Sequence, residues 1–247
     1  VLFRSKPLIY MKKLIYIGLI AIGAVALTSC EPTLVGNRDV EREFRRTSYF
    51  DEIELNIAAE VILRQGPVKD IEIEAESNVL NVLDTRISGN TLRITYNGGW
   101  VRTNRPVRIW IQIPEVDAIR VSGSGKVISD NTIIGKNLQI RMSGSGLIDV
   151  AADIKNEIDA NISGSGLIYL EGDAYYADYD VSGSGRIEGF NMEVDNTDID
   201  ITGSGRCETT TYNRLDVAIS GSGDAYFRGK PAIKTRISGS GKLFDAN

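Results

Sequence analysis

The chain has 247 residues, of which 42% are hydrophobic and 25% are charged, with a formal net charge of −5 and no histidine. This composition is typical of a folded protein and excludes a disordered or collagen-like chain. The acidic balance argues against a nucleic acid as partner, which requires a basic surface. The lack of histidine removes the commonest general base and metal ligand, so the composition also disfavours catalysis.

The first 29 residues have the features of a bacterial signal peptide. Met11-Lys12-Lys13 is a positively charged start, and Leu14 to Leu27 is an apolar run that is short for a membrane span. Leu27-Thr28-Ser29-Cys30 looks like a lipobox, in which Cys30 becomes the lipidated N-terminus, and several acyl chains hold a protein firmly on a membrane. An uncleaved transmembrane anchor is the alternative. We expect residues 1–10, which precede Met11, not to be native.

Removal of residues 1–29 leaves 24 basic against 33 acidic residues, a net charge of −9. With Cys30 acylated, Cys207 has no partner, so one mature chain forms no disulfide. Residues 30–45 are dense in charge and are predicted to be a solvated tether, with a first strand as the weaker alternative.

Residues 46–116 alternate between apolar and polar side chains, as at Ile53 to Ile57 and Val107 to Ile113. This period of two predicts half-buried strands, and we interpret the region as irregular β coils with one short helix around Ser77 to Leu83. Ile57-Ala58-Ala59-Glu60-Val61 and Ile87-Ser88-Gly89-Asn90 resemble decayed copies of the repeat that follows.

Residues 117–247 repeat the phrase Ser-Gly-Ser-Gly. It begins at Ser122, Ser143, Ser163, Ser182, Thr202 (as Thr-Gly-Ser-Gly), Ser220 and Ser238, at intervals of 21, 20, 19, 20, 18 and 18 residues. Such a period is typical of a solenoid. The predicted fold class is all-β: a parallel β-helix of about seven coils of 18–21 residues, right-handed by the crossover rule.

The repeat predicts which side chains face inward. The residue before each phrase is apolar in all seven copies, and so is the column that contains Cys207, which we interpret as a small buried hydrophobe. The same parity predicts that the hydroxyls point outward and that both glycines of each phrase point inward, where they let the chain bend. These structural glycines are Gly123, Gly125, Gly144, Gly146, Gly164, Gly166, Gly183, Gly185, Gly203, Gly205, Gly221, Gly223, Gly239 and Gly241.

Aspartates line two outward columns of the predicted helix. They are Asp159, Asp178, Asp180, Asp198, Asp200 and Asp216. Like charges stacked one strand apart repel by about 1 kcal/mol even in water, so counter-ions, Arg186 and Arg206, or a bound Ca²⁺ should offset them. We favour a solvated face, because a flat strand face supplies too few converging oxygens for calcium. No metal site and no cofactor is assigned, and the patch remains a candidate cation or ligand face.

Catalysis is the weaker interpretation. Asp180 and Asp200 have the spacing of a retaining glycosidase pair, but coils this short leave no loops to wall a cleft. Cys207 and the phrase hydroxyls have no base beside them. Aromatic residues either cover coil edges, which we favour, or contact a glycan or partner. They are Tyr169, Tyr226 and Phe244, which are predicted to face outward, and Tyr175, Tyr176 and Tyr212 in the connections. The last coil has no capping segment, which suggests pairing with a second copy or another partner.

The lipobox, the Tyr49-Phe50-Asp51-Glu52-Ile53 segment, the strand ending at Pro114 and the recurring Ser-Gly-Ser-Gly together resemble one family of bacterial lipoproteins over residues 49–245. The family is described as "putative auto-transporter adhesin, head GIN domain" and is a domain of unknown function. The resemblance implies a β-helical lipoprotein. We expect an outer-membrane lipoprotein, on the periplasmic side or the cell surface, with a glycan or protein ligand. It supplies no catalytic residues. The expected function is a binding, adhesion or structural surface, and the alternative is a carbohydrate-active or calcium-dependent glycan-binding β-helix.

Overall fold

The structure is a computed structural model that describes residues 33–247. The predicted signal peptide, residues 1–29, and the predicted lipidation site Cys30 lie outside the described residues. In the part that is described, no helix has the length and apolar character needed to cross a membrane.

The described chain is built of strands with one short helix, α1 (Ser77–Leu80). The strands are β1 (Leu34–Val35), β2 (Val40–Arg45), β3 (Glu52–Leu55), β4 (Glu60–Gln65), β5 (Ile71–Glu76), β6 (Leu83–Ser88), β7 (Thr91–Tyr96), β8 (Val101–Arg102), β9 (Arg108–Ile113), β10 (Ala118–Gly123), β11 (Lys126–Ser129), β12 (Ile133–Gly144), β13 (Leu147–Gly164), β14 (Leu167–Gly183), β15 (Arg186–Gly203), β16 (Arg206–Gly221), β17 (Asp224–Arg228), β18 (Ala232–Gly239) and β19 (Lys242–Asp245).

Strands β10 to β19 form a parallel β-solenoid, which confirms the predicted architecture. Each coil pairs in parallel with the next, and the seven copies of the phrase lie in one register, so that they bound six complete turns. The residue before each phrase is buried in the first six copies, as is Cys207. Ile237, in the seventh copy, is exposed because its coil has a neighbour on one side only.

The corner at each phrase is only partly as predicted. The hydroxyl residues are exposed and the second glycine is buried, but the first glycine does not point inward. It has a positive φ, between 95° and 129° over the seven copies, which breaks the alternation of an extended strand. At Gly144 a Cβ would also lie 2.4 Å from the carbonyl oxygen of Gly123 in the preceding coil. The first glycine is therefore a backbone turn, whereas the second faces the core.

The stack continues into the N-terminal region, with a change in strand order. β3 and β4 pair in parallel with β10 and β11, and β7 and β9 pair in parallel with β3 and β4 on the far side. The segment Ile57-Ala58-Ala59 connects β3 to β4 where the next coil has its first phrase, as its resemblance to that phrase suggested. The same interpretation is wrong for Ser88-Gly89-Asn90, which turns the antiparallel hairpin β6–β7.

An antiparallel layer closes this end of the solenoid. β5 pairs with β9, β6 with β7, and β2 with β5. The predicted tether is therefore wrong for Val40–Arg45, which is strand β2, because the backbone of β5 offers it a free edge for pairing. The predicted helix near Ser77 is confirmed as α1.

The interior of the repeat region is apolar except for a cluster of threonines and the hydroxyl of Tyr179. Thr197, Thr209 and Thr211 are fully buried, and their hydroxyl oxygens lie 2.8 to 3.3 Å apart in a closed triangle of hydrogen bonds. The hydroxyl of Tyr179 is also buried, but it has no hydrogen-bond partner. Burial raises the pKa of Tyr179 and that of the Cys207 thiol, so neither group ionises near neutral pH.

Candidate functional site

The aspartates predicted to share a face do stack in two columns. Asp159, Asp178, Asp198 and Asp216 occupy one register, which ends at Lys234. Asn161, Asp180, Asp200 and Ala218 occupy the neighbouring register, which ends at Arg236. The phrase sets this alignment, because each aspartate lies two or four residues before it.

Three of the six carboxylates are neutralised by side chains of adjacent coils. Arg141 Nη2 lies 2.8 Å from Asp159, and Lys234 Nζ lies 3.1 Å from Asp216. Asp198 accepts hydrogen bonds from Arg214 Nη2 at 3.0 Å and from the Tyr176 hydroxyl at 2.7 Å. Much of the charge on this face is therefore balanced within the protein.

Arg186 and Arg206 do not reach over the aspartates, so this part of the expectation is wrong. They follow the phrase corner, and their side chains extend along the next wall, where Arg206 Nη2 is 2.6 Å from Glu208 and Arg186 Nε is 3.9 Å from Glu188. Arg214 takes their role because it precedes Asp216 by two residues and lies beside Asp198 in the neighbouring coil.

Burial and the stacked carboxylates raise the pKa values of Asp178 and Asp180. Partial burial, together with Asp159 and Asp198 on either side, raises the pKa of Asp178 from 3.8 to about 6. Partial burial and the neighbouring carboxylates of Asp200 and Asp159 also raise the pKa of Asp180. A bound cation would lower these values, so the crowding is compatible with a cation but does not require one.

The geometry of the patch is unsuited to a tightly held metal. Among residues 33–247, no three carboxylate, cysteine or histidine side chains converge as metal ligands would. Asp198, Asp200 and Asp216 border a depression of only about 60 Å³. The candidate glycosidase pair, Asp180 and Asp200, occupies adjacent strands in register on this open wall.

The column that contains Asp180 borders a groove that the sequence interpretation missed. It has a volume of about 340 Å³ and follows the solenoid axis across four coils. One side carries Arg120, Arg141, Asn161 and Asp180, and the other carries the hydroxyls of Ser122, Ser143, Ser163 and Ser182. The signal was present in the sequence, because the two columns are two residues apart and so share the outward parity.

Two of the outward aromatics pack against side chains of neighbouring coils. Tyr226 stacks on Phe244 with ring centroids 4.8 Å apart, and the guanidinium of Arg206 lies 4.0 Å from the centre of the Tyr226 ring. Tyr175 and Tyr212 differ, since both are exposed and border a hollow of about 310 Å³.

Fold and site together define a parallel β-solenoid whose polar surface is arranged in axial columns. Residues 49–231 match the family described as "putative auto-transporter adhesin, head GIN domain", and the chain belongs to this family. The resemblance noted from the sequence is thereby confirmed.

Solved structures with the same fold come from Bacteroides and Parabacteroides. A "putative adhesin" from Bacteroides fragilis NCTC 9343 has a TM-score of 0.80 at 22% identity, with 86% of this chain and 99% of that chain covered. A "putative lipid binding protein" from Parabacteroides distasonis ATCC 8503 has a TM-score of 0.71 at 24% identity, with 87% and 100% covered. A "putative adhesin" from Parabacteroides merdae ATCC 43184 has a TM-score of 0.67 at 19% identity, with 87% and 99% covered. No curated protein matches the chain.

Proposed function

We propose that this protein is a lipid-anchored, extracytoplasmic adhesion protein that binds an extended polar ligand, a glycan chain, along its axial groove without catalysis. The observation that carries the proposal is the groove itself, in which a column of guanidinium, amide and carboxylate groups faces a ladder of seryl hydroxyls. Lipid attachment at Cys30, in a cell outer membrane, is part of the same proposal.

The chemistry of the groove suits a carbohydrate. Sugar hydroxyls both donate and accept hydrogen bonds, and the groove offers donors at Arg141, acceptors at Asp180, and both at Asn161 and the serines. Parallel strands repeat these groups about every 4.8 Å, so a chain of similar units meets the same contacts at successive coils. An open groove of this kind holds a ligand by many modest contacts.

The relatives support an adhesive role. The family description and two of the three solved structures carry the word adhesin. A catalytic role has less support, because Asp180 and Asp200 lie on an open wall and the free thiol, Cys207, is buried.

A glycan array probed with the chain from residue 31 onward tests the ligand. Truncation there keeps β1 and β2, which belong to the sheet. We expect at least one polysaccharide class to bind, and Asp180→Asn and Arg141→Gln to weaken binding about tenfold or more, since each removes a charge-assisted contact. The matched control is Asp153→Asn, an exposed aspartate outside the groove. Equal loss in the control, or turnover of a bound polysaccharide that Asp180→Asn abolishes, would contradict the proposal.

Calcium is tested by the thermal melt of the same protein. We expect the Tm to be the same in millimolar calcium and in chelator, because three of the six aspartates are already paired with Arg or Lys. A Tm that rises with calcium would favour the calcium-dependent glycan-binding alternative.

Lipid attachment is tested by the mass of the N-terminal peptide from membrane-extracted protein. We expect an acylated Cys30, with the acyl mass lost in Cys30→Ser. Protease treatment of intact cells then distinguishes the surface from the periplasmic side. An unmodified Cys30 would contradict the anchoring.

A further inference from the structure

The end of the solenoid nearest the N-terminus presents an exposed tryptophan. Trp100 is 76% exposed and Val35 is 54% exposed. Both are fixed by strand pairing, because the Leu34 amide donates to the Trp100 carbonyl at 2.8 Å and the Gly36 amide donates to the Arg102 carbonyl at 2.9 Å. The backbone of Trp100 is thus held at a defined place beside the first described residues.

A buried glutamate holds this end together. Glu76 is fully buried and accepts hydrogen bonds from the backbone amides of Arg38 at 2.6 Å, Asn104 at 2.8 Å and Arg105 at 3.3 Å. Burial acts to raise the pKa of Glu76, but these amides outweigh it and the pKa is lowered, so the group is ionised. The Glu76 carboxylate therefore binds both the segment before β2 and the loop after β8.

The same arrangement collects positive charge. Arg38, Arg102 and Arg105 are exposed at this end, with Asp39 as the neighbouring acidic residue in the chain. Elsewhere acidic residues outnumber basic ones, since the chain without residues 1–29 has a net charge of −9. An exposed tryptophan among arginines is the combination that favours the headgroup region of an anionic bilayer.

We propose that this face, formed by Val35, Trp100, Arg102, Arg38 and Arg105, rests on the phospholipid headgroups of the membrane that carries the protein. The inference depends on the lipid at Cys30 from the proposed function. Leu34 is four residues from Cys30, so even a fully extended chain separates them by no more than about 14 Å. Because Trp100 is hydrogen-bonded to Leu34, the anchor brings the tryptophan within reach of the interface.

Contact on this face would orient the whole solenoid. Two attachments, the acyl chains and the tryptophan, restrict rotation about the short linker far more than the acyl chains alone. The coil that carries Lys234 and Arg236 would then point away from the membrane, since it lies at the opposite end of the stack.

Tryptophan fluorescence of the full-length lipidated protein in vesicles tests the contact. In residues 33–247 the tryptophans are Trp100 and Trp110, and no other tryptophan occurs in the chain. Trp110→Phe leaves Trp100 as the reporter, and Trp100→Phe leaves Trp110 as the matched control. The vesicles contain phosphatidylethanolamine with about one-third phosphatidylglycerol, which makes the bilayer anionic. The lipids are brominated near the headgroup, and the bromine is the quencher.

We expect Trp100 to shift to shorter wavelength and to be quenched at least about threefold more than Trp110, as an interfacial tryptophan would be. Arg102→Ser and Arg105→Ser together should reduce this quenching in low salt. Equal quenching of both tryptophans on acylated protein would contradict the membrane contact and leave the anchor intact. A blue shift that depends on protein concentration without vesicles would indicate a second copy on this face, and would also contradict it. A chain whose Cys30 lacks the acyl mass would refute the anchoring, and this inference with it.

Discussion

Two corners that stack directly on one another are built in different ways. From Gly123 onward each corner turns through a glycine with positive φ, whereas the corner below it, Ile57-Ala58-Ala59, contains no glycine and buries Ile57 and Ala59. The difference shows what the glycines do. A Cβ at Gly123 would meet nothing within 4 Å, while a Cβ at Gly144 would strike the backbone of Gly123. Glycine is thus required most where one phrase corner stacks on another.

The two regions also bury polar groups differently. The N-terminal region buries two carboxylates: Asp51, which accepts hydrogen bonds from the side chains of Tyr49 and Asn90, and Glu76, which accepts them from backbone amides. The repeat region buries neutral hydroxyls, of which the three threonines are satisfied and Tyr179 is not. Its carboxylates stand on the outer wall. A fall in pH should therefore destabilise the N-terminal region and stabilise the repeat region.

The largest effect is expected from glycines that stack. Gly221→Ala should lower the free energy of unfolding by about 3–5 kcal/mol, because its Cβ would lie 2.4 Å from the Gly203 carbonyl oxygen and its φ is 127°. Gly123→Ala, with strained φ but open space, should cost about 1–2 kcal/mol. Urea unfolding followed by circular dichroism measures both. Equal losses would mean that φ alone explains the glycines.

The second effect concerns the buried carboxylate of Glu76. Glu76→Gln should lower the free energy of unfolding by about 2–3 kcal/mol at pH 7, because the amide cannot accept from all three backbone donors. The pKa of Glu76 is lowered in the folded state from its ordinary value of 4.5. The contribution of Glu76 to the free energy of unfolding is therefore fully present above pH 4.5 and is lost as the pH falls through the pKa of the folded state. The urea midpoint of the wild type should therefore fall in acid, and Glu76→Gln should remove this part of the pH dependence. Glu72→Gln, a surface ion-pair member, is the control and should cost under about 1 kcal/mol.

A smaller effect of opposite sign is expected at Tyr179. Tyr179→Phe removes a buried hydroxyl that has no partner, so the free energy of unfolding should rise by about 1 kcal/mol. Thr197→Val, at a hydroxyl that has two partners, should instead lower it. Thermal and urea unfolding of the pair measure the contrast. Destabilisation by Tyr179→Phe would reveal a partner for the hydroxyl.

The smallest effect is expected in the aspartate column. The pKa of Asp178 is raised to about 6, so its charge opposes folding above that pH, and the repeat region should gain stability as the pH falls from 7 towards 4. Asp178→Asn should raise the free energy of unfolding at pH 7 by at most about 1 kcal/mol, because the carboxylate is partly exposed and screened by solvent. The substitution should also remove the stability that the repeat region gains at Asp178 as the pH falls. An unchanged pH profile in the variant would contradict the assignment.

The sequence predicts the repeat region well because one short phrase sets both the corner and the register. The inward apolar columns, the exposed hydroxyls and the alignment of Asp178 with Asp198 all follow from counting residues before each phrase. The first glycine is predicted on the wrong side because counting by two assumes an extended backbone, and a positive φ breaks that rule.

The N-terminal region and the ion pairs were harder to predict. The chain forms β3 and β4, moves outward to β7 and β9, and then returns to β10, an order that local patterns of apolar residues do not encode. The pairing of Asp198 with Arg214 rather than Arg206 depends on the path of the chain around one coil, which the phrase does not determine. Both features depend on contacts between distant segments.

The coils differ in length, yet the phrase never leaves its register. Between Gly189 and Glu193 the chain contains three residues that have no counterpart between Thr209 and Thr210, and the ladder of hydroxyls is nevertheless continuous from Thr202 to Ser220. Insertions and deletions are thus confined to the walls away from the phrase. Such walls can change in length during evolution, and foreign loops could be grafted there, while the groove and the corner remain the same.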